Sequence, residues 1–254
     1  MNAVTPRQAT RRLKLTIAYD GSPFAGWQSQ AHGRGVQDVI EKAFVDIVGS
    51  RVVVYGSGRT DARVHALGQC AHVDVPDGSL GLTDWRRALN ACLPSTIRIL
   101  RAQRAAGDFH ARFSARGKIY RYGIRTSAVL PPHEVGRVWH CPSADDERTL
   151  TTAARLFEGL KDFSAFSANR GAAVKDTRRT IQGIQVSRRG TLTTLTFEGE
   201  GFLYKMVRMI VGASVRAAQG RVEVEELRRR LANGGPRWNY VAPAEGLCLV
   251  KVLY

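Results

Sequence analysis

The feature that most constrains this chain is an order of hydrophobic periodicities that occurs twice. Leu13–Asp20 alternates apolar and polar residues as a strand does, and a Gly-rich stretch follows at 21–35. Apolar residues then recur at Val36, Ile40, Phe44, Ile47 and Val48, which predicts a helix over Val36–Val48. Arg51–Ser57 and Gln69–Val75 read as strands, Thr83–Cys92 as a helix with Thr83 as its N-cap, and Ile97–Ala105 as a strand. After a connector at Gly107–Ala115 the order returns. It runs through a strand at Lys118–Arg125, a helix at Asp145–Glu158, and strands at Thr180–Ser187 and Leu192–Glu198. A helix at Phe202–Ala218, an additional one at Val224–Leu231 and a last strand at Leu247–Leu253 complete it. Two passes of β-α-β-β-α-β predict an α/β (α+β) fold of two tandem split β-α-β (ferredoxin-like) units, 1–106 and 107–254. Their antiparallel sheets, side by side, would leave an open face and a cleft.

Charge narrows the partners. Lys and Arg number 38 against 22 Asp and Glu, a net charge of +16, which favours a polyanion, with nucleic acid ahead of an anionic membrane surface. No apolar run approaches the ~18–20 residues that cross a bilayer, and the basic amino terminus is followed by no apolar segment of a secretory signal. The four cysteines are scattered without a CxxC pair, as in a reducing compartment. These features predict a soluble cytoplasmic protein.

The segment GSGRTDARVHALGQ at 56–69 puts one carboxylate, Asp61, between Arg59 and Arg63, directly after the apolar run Val52–Tyr55. It is not a phosphate cradle. A Walker loop needs GK[ST] at its end, and the dinucleotide fingerprint needs glycine where Asp61 stands. Asp61 and His65 are four apart, but between strands that spacing does not align metal ligands, and no third ligand is evident. There is no GxSxG elbow and no paired Cys and His for a hydrolase. Asp61 remains a turn-former, a salt-bridge partner or a reactive group. Neighbouring arginines favour its ionised form, suited to nucleophilic attack or to stabilising a developing cation.

Two further stretches carry chemistry. In Lys118-Ile119-Tyr120-Arg121-Tyr122, the two tyrosines share a strand face with Lys118, either as a stacking platform for unpaired bases or as a core packing pair. In Phe202–Gly212, Lys205 and Arg208 interrupt an apolar helix surface on one face, with snorkelling to solvent the plainer reading for Lys205. The Arg178-Arg179 and Arg188-Arg189 pairs fit RNA-facing stripes or solvated faces. Arg228-Arg229-Arg230 fits a surface ion-pair face with Glu223, Glu225 and Glu226.

Taken together, six segments in order resemble the tRNA pseudouridine synthase A (TruA-type) family. They are YDGSPFAGWQ (19–28), VQDVIEKAF (36–44), GRTDARVHALGQ (58–69), DFHARFSARGKIYRY (108–122), FLYKMVRMIVG (202–212) and AEGLCLVKV (244–252). The resemblance implies a cofactor-free isomerase that converts uridine to pseudouridine in the anticodon stem-loop of tRNA, at positions 38–40. It also implies an RNA-binding cleft and a homodimer. By motif, Asp61 would be the catalytic carboxylate and Arg59 its neighbour that helps to bring out the target base. Tyr120 would stack on that base, Arg208 would pair with the aspartate, and Leu247 would pack against the uracil. One departure stands out: the family pattern usually has glycine after RTDA, where this chain has Arg63. If that position needs positive φ, arginine costs about 1–2 kcal/mol. The competing expectation is a non-catalytic RNA-binding protein that uses the same basic cleft.

Overall fold

The computed structural model describes residues 9–254 except 32, 79, 170 and 172–174. The chain divides into two compact units: residues up to Ala62 with Ala66–Ala115, and Arg63–His65 with Arg116–Tyr254.

In the first unit, β1 (Thr10–Tyr19) leads to α1 (Val36–Val48), β2 (Tyr55–Gly56), β3 (His65–Pro76), α2 (Leu82–Cys92) and β4 (Ile97–Arg104). The strand order is β4-β1-β3-β2, with every neighbouring pair antiparallel. Each helix therefore connects two strands with a third between them, as the sequence pattern predicts. The alternation in β1 turns Leu13, Leu15, Ile17 and Tyr19 inward. They belong to a core shared with Phe44 of α1 and Trp85 of α2, whose rings meet at 5.3 Å. The α1 helix opens with the Asp38 carboxylate accepting from the Gly35 N–H at 2.8 Å and ends at Gly49 in the left-handed conformation. The α2 helix is tied to β4 by Asn90, which donates to and accepts from the backbone of Ile99.

The opposite face of this sheet carries polar residues. Arg12 makes a two-toothed pair with Asp74 at 2.7 and 2.8 Å and donates to the carbonyls of Gly107 and Phe109. Buried His72 accepts from the Ala111 N–H through Nδ1 at 3.1 Å. These bonds hold the connector 107–115 against the first unit, so the division falls after Ala115 rather than after residue 106.

The second unit contains β5 (Gly117–Arg125), β6 (Trp139–His140), α3 (Glu147–Arg155), β7 (Gly159–Asp162), β8 (Arg178–Arg189), β9 (Leu192–Gly199), α4 (Met206–Ala218), α5 (Val224–Asn233) and β10 (Leu247–Leu253). The order β10-β5-β9-β8 repeats the antiparallel arrangement of the first unit. β7 is added beside β8, and β6 runs parallel to β5. Phe157, Phe163, Phe166, Phe197 and Met206 are completely buried in its core.

Several boundaries differ from the sequence expectation, four of them with an evident physical setting. Only Tyr55–Gly56 of the expected strand 51–57 is paired, although Val52 and Val54 are buried. The N-cap of α2 is Gly81, with Thr83 inside the helix. The α3 helix is shorter, capped by Asp146, whose side chain accepts from the Thr149 N–H. The α4 helix starts at Met206 rather than Phe202, because Lys205 has φ 60° and cannot continue a right-handed helix. Among the arginine runs, Arg228, Arg229 and Arg230 pair with Glu225 and Glu226 on α5, Arg188 pairs with Asp145, and Arg178 with Asp176.

Burial first, then the charges of Arg12 and His110, push the His72 imidazole down to about 4 from an ordinary 6.5. The folded value lies below the unfolded one, so neutral His72 contributes stability that is complete above pH ~6.5 and is lost as pH falls towards ~4. The full contribution is on the order of 3 kcal/mol. We expect thermal unfolding to show this loss in the wild type. His72→Asn, whose Oδ1 accepts without titrating, should flatten it; an unchanged slope between pH 6.5 and 4 would remove His72 as the cause.

Candidate active site

Residues 57–62 follow β2, and Asp61 sits there half-buried with Arg59 exposed beside it. The backbone of this loop is held by polar side chains that are themselves inaccessible: Ser57, Thr60 and Gln69 are 1%, 6% and 0% exposed. The Ser57 hydroxyl donates to Gln69 Oε1 at 2.7 Å, and Gln69 Nε2 donates to the Gly58 carbonyl at 3.0 Å. The Cys70 N–H also donates to Gln69 Oε1. One step nearer Asp61, Thr60 Oγ1 lies 2.8 Å from the Tyr19 hydroxyl, and its carbonyl accepts from the Trp27 N–H at 3.1 Å. Leaving one of these buried groups unpaired costs about 1–3 kcal/mol, so the network fixes the loop rather than merely decorating it.

The segment YDGSPFAGWQ serves the same loop. Gly26 has φ 103°, and a Cβ there would stand 2.7 Å from the Thr60 carbonyl oxygen and 3.1 Å from the Asp61 carbonyl carbon. Trp27 packs against Gly56, where a Cβ would come within 2.5 Å of the indole. Two of the sequence segments are thus one object, a glycine and a tryptophan backing the aspartate loop.

Past Asp61, Arg63 has φ 68°, one of two non-glycine residues in the left-handed region among the described residues. The backbone at this position demands a conformation that glycine adopts freely, and the arginine meets it under strain. Val64 is buried in the core of the second unit, and His65 Nε2 lies 2.9 Å from the Gly136 carbonyl.

The second unit holds the other candidates. Arg208, on the first turn of α4, donates from Nε to the Ala242 carbonyl at 2.8 Å, and the Ala242 N–H returns a bond to the Arg208 carbonyl. Leu247, 7% exposed, is opposite Tyr122 in the β10–β5 ladder. Tyr120 is half-buried, edge-on to Phe202 with centroids at 5.1 Å. Tyr122 is a core residue: it is fully buried, its hydroxyl donates to the Pro243 carbonyl at 2.7 Å, and burial raises its pKa well above the ordinary value. Of the two tyrosines in KIYRY, only Tyr120 is open to a ligand. Arg208 also lies close enough to Tyr122 to oppose that rise. The three motif segments of this unit therefore interlock through Arg208, Tyr122 and the chain at 242–247.

The Ser57–Gln69 network was not anticipated from sequence. Its signal was Gln69 at the head of the strand that carries Cys70, Val73 and Val75, where an amide is buried only when paired. No group of three or more His, Cys, Asp or Glu side chains among the described residues is placed to hold a metal ion.

A family model described as tRNA pseudouridine synthase matches residues 15–114 and 153–254. The chain belongs to the tRNA pseudouridine synthase family. The tRNA pseudouridine synthase A of Akkermansia muciniphila is 47% identical over 251 residues, spanning 96% of this chain and 95% of that protein. That of Solidesulfovibrio magneticus is 44% identical, spanning 96% and 91%. That of Syntrophotalea carbinolica is 39% identical, spanning 95% and 96%. Among solved structures, a chain of a Cbf5–Nop10–Gar1 complex is similar at a TM-score of 0.41 and 13% identity, covering 93% of this chain and 48% of that one. At that level the likeness carries no inference. Asp61, Arg208 and Leu247 lie within the residues matched to the tRNA pseudouridine synthase family, and Tyr120 lies between the two matched stretches.

Arg63→Gly should relieve about 1–2 kcal/mol of left-handed strain while costing about 0.5–1 kcal/mol in unfolded-chain entropy. We expect a net gain of about 0–1.5 kcal/mol, or up to ~6 °C in melting temperature. A lower melting temperature would mean that contacts of the Arg63 side chain offset the strain.

Proposed function

We propose that this chain isomerises uridine to pseudouridine in tRNA, with Asp61 as the catalytic carboxylate. The observation that carries the reading is the buried scaffold behind Asp61 in a member of this family. A solvent-exposed turn needs no such support, and a carboxylate facing a polyanion lowers affinity unless it takes part in chemistry.

The reaction breaks the N1–C1′ bond, turns the uracil and joins C5 to C1′. The C5 proton leaves and N1 takes one up, so atoms balance and nothing is oxidised. Asp61 either adds to C1′ or stabilises positive charge there as the base departs. Tyr120 and Leu247 are proposed to hold the detached uracil between a flat ring and an aliphatic wall, surfaces that resist escape without fixing orientation. Arg208 is proposed as the cation that pairs with the carboxylate, and Arg59 as the residue that helps to bring the base out. Extrusion costs a few kcal/mol, which phosphate contacts from a chain of net charge +16 can offset.

The same proposal includes the anticodon stem-loop, with uridines at positions 38–40, as the substrate region, a homodimeric assembly, and a cytoplasmic location. Family membership supports the first two. Four free cysteines, and the lack among the described residues of any helix long and apolar enough to cross a membrane, agree with the third.

Tritium release from a tRNA transcript labelled at uracil C5 tests the proposal. The wild type should release tritium, and Asp61→Asn should release it at least ~1,000-fold more slowly, ~4 kcal/mol of barrier, while still binding tRNA. Binding without release by the wild type would turn the assignment to a non-catalytic RNA-binding protein.

A further inference from the structure

Away from the residues assigned above, the first unit displays a run of aromatic rings that is buried at its middle and open to solvent at both ends. Tyr55 stacks on His72 with centroids at 4.9 Å and planes 13° apart. His72 meets His110 at 4.6 Å, and His110 meets Phe113 at 4.4 Å. The middle of the run is fixed, since His72 is buried and accepts from Ala111. Both ends are open: Phe113 is 76% exposed and Tyr55 is 48% exposed.

The turn that presents Phe113 is organised by its own bonds. His110 Nδ1 accepts from the N–H groups of Arg112 and Phe113, the His110 N–H donates to the Ser114 hydroxyl, and the Ser114 N–H donates to the His110 carbonyl. The backbone that presents the ring is therefore ordered before any ligand arrives, which lowers the ordering cost of binding. Basic groups accompany it. The Arg112 guanidinium lies 5.6 Å from the Phe113 centroid, and Lys14 Nζ lies 4.9 Å from that of Phe109. Asp108 is the acidic residue of the turn, and it is exposed.

We propose that Phe113, backed by His110, is a stacking contact for an unpaired base of the tRNA, separate from the base that reacts. The inference rests on the reading of the chain as a tRNA-modifying enzyme. An exposed ring beside an arginine suits a nucleobase, which offers a π-face to the ring and a phosphate to the cation. A contact with a second copy of the chain would need a broad apolar surface of roughly 800 Å² on each partner. Interface cores are also depleted of charge, and this ring is flanked by an arginine, a histidine and an aspartate.

Affinity for unmodified tRNA transcript, measured for wild type, Phe113→Ala and Phe113→Trp across a salt series, tests it. Phe113→Ala should weaken binding between about 5-fold and 150-fold, the loss of one stacked base. Its salt slope should match the wild type, since no phosphate contact is removed. Phe113→Trp should bind at least as tightly as the wild type. Sedimentation should give the same mass for all three proteins, and circular dichroism the same melting temperature, because the ring is exposed. Unchanged affinity in Phe113→Ala overturns the inference. A loss of affinity that comes with a smaller sedimenting species overturns it too, and assigns the ring to a contact between copies. Tritium release by a wild type whose Phe113→Ala variant binds normally removes this inference alone. A binding loss in Phe113→Ala, where the wild type itself binds tRNA but releases no tritium, removes only the isomerase reading.

Discussion

The placement of the proposed catalytic carboxylate depends on one buried amide. Gln69 is fully enclosed, and its two ends bond the hydroxyl of Ser57 and the carbonyl of Gly58. A primary amide in an apolar interior is tolerable only when its donors and acceptors are met, so the loop must adopt the path that meets them. Thr60 continues the constraint to within one residue of Asp61, through the Tyr19 hydroxyl and the Trp27 N–H. Gly26 closes the rear, with no room for a side chain. The aspartate stands at the end of a short frame of buried, hydrogen-bonded side chains. Residues far apart in sequence, at 19, 26, 27, 57, 60 and 69, are needed for one carboxylate.

The second unit solves a similar problem with different means. Arg208 is anchored through two bonds to Ala242, one from its side chain and one to its backbone, and Tyr122 anchors the adjoining Pro243. These contacts set the chain that enters β10 and so place Leu247. Lys205 marks the cost of this arrangement. Its left-handed conformation ends the irregular segment 202–205 abruptly, so that α4 begins at Met206 with Arg208 on its first turn. Two non-glycine residues, Arg63 and Lys205, hold positive φ among the described residues, and each lies within three residues of a proposed functional group. Strain of this kind persists where the surroundings over-determine the backbone.

Much of this was legible in the sequence because it rests on periodicity. The apolar spacing of Val36–Val48 gave that helix to the residue, Leu247–Leu253 likewise emerged as a strand, and the doubled element order implied the doubled strand order. What periodicity cannot report is hydrogen bonding across long separations. Val52 and Val54 alternate as a strand should and are buried, yet only Tyr55 and Gly56 find a ladder partner. The apolar pattern from Phe202 runs smoothly into α4, and nothing in it announces that Lys205 turns left-handed. The tyrosines of KIYRY look equivalent by alternation, and their ladder partners Leu247 and Leu249 are both buried, so only the packing around each ring separates core Tyr122 from half-buried Tyr120. The candidate site was visible as motifs; the reason that those motifs include Gly26, Trp27 and Gln69 required the three-dimensional contacts.

The central claim is that the frame behind Asp61, and not the carboxylate by itself, sets the rate. Gly26→Ala addresses it most directly, since its new methyl group would press on the Thr60 carbonyl and the Asp61 backbone without altering a charge or a polar group. The measurement is the single-turnover rate of pseudouridine formation at saturating tRNA, at a temperature where the variant is folded. A displacement of the carboxylate on the order of 1 Å predicts a fall of about 100-fold. A folded Gly26→Ala protein that reacts at the wild-type rate would contradict the account.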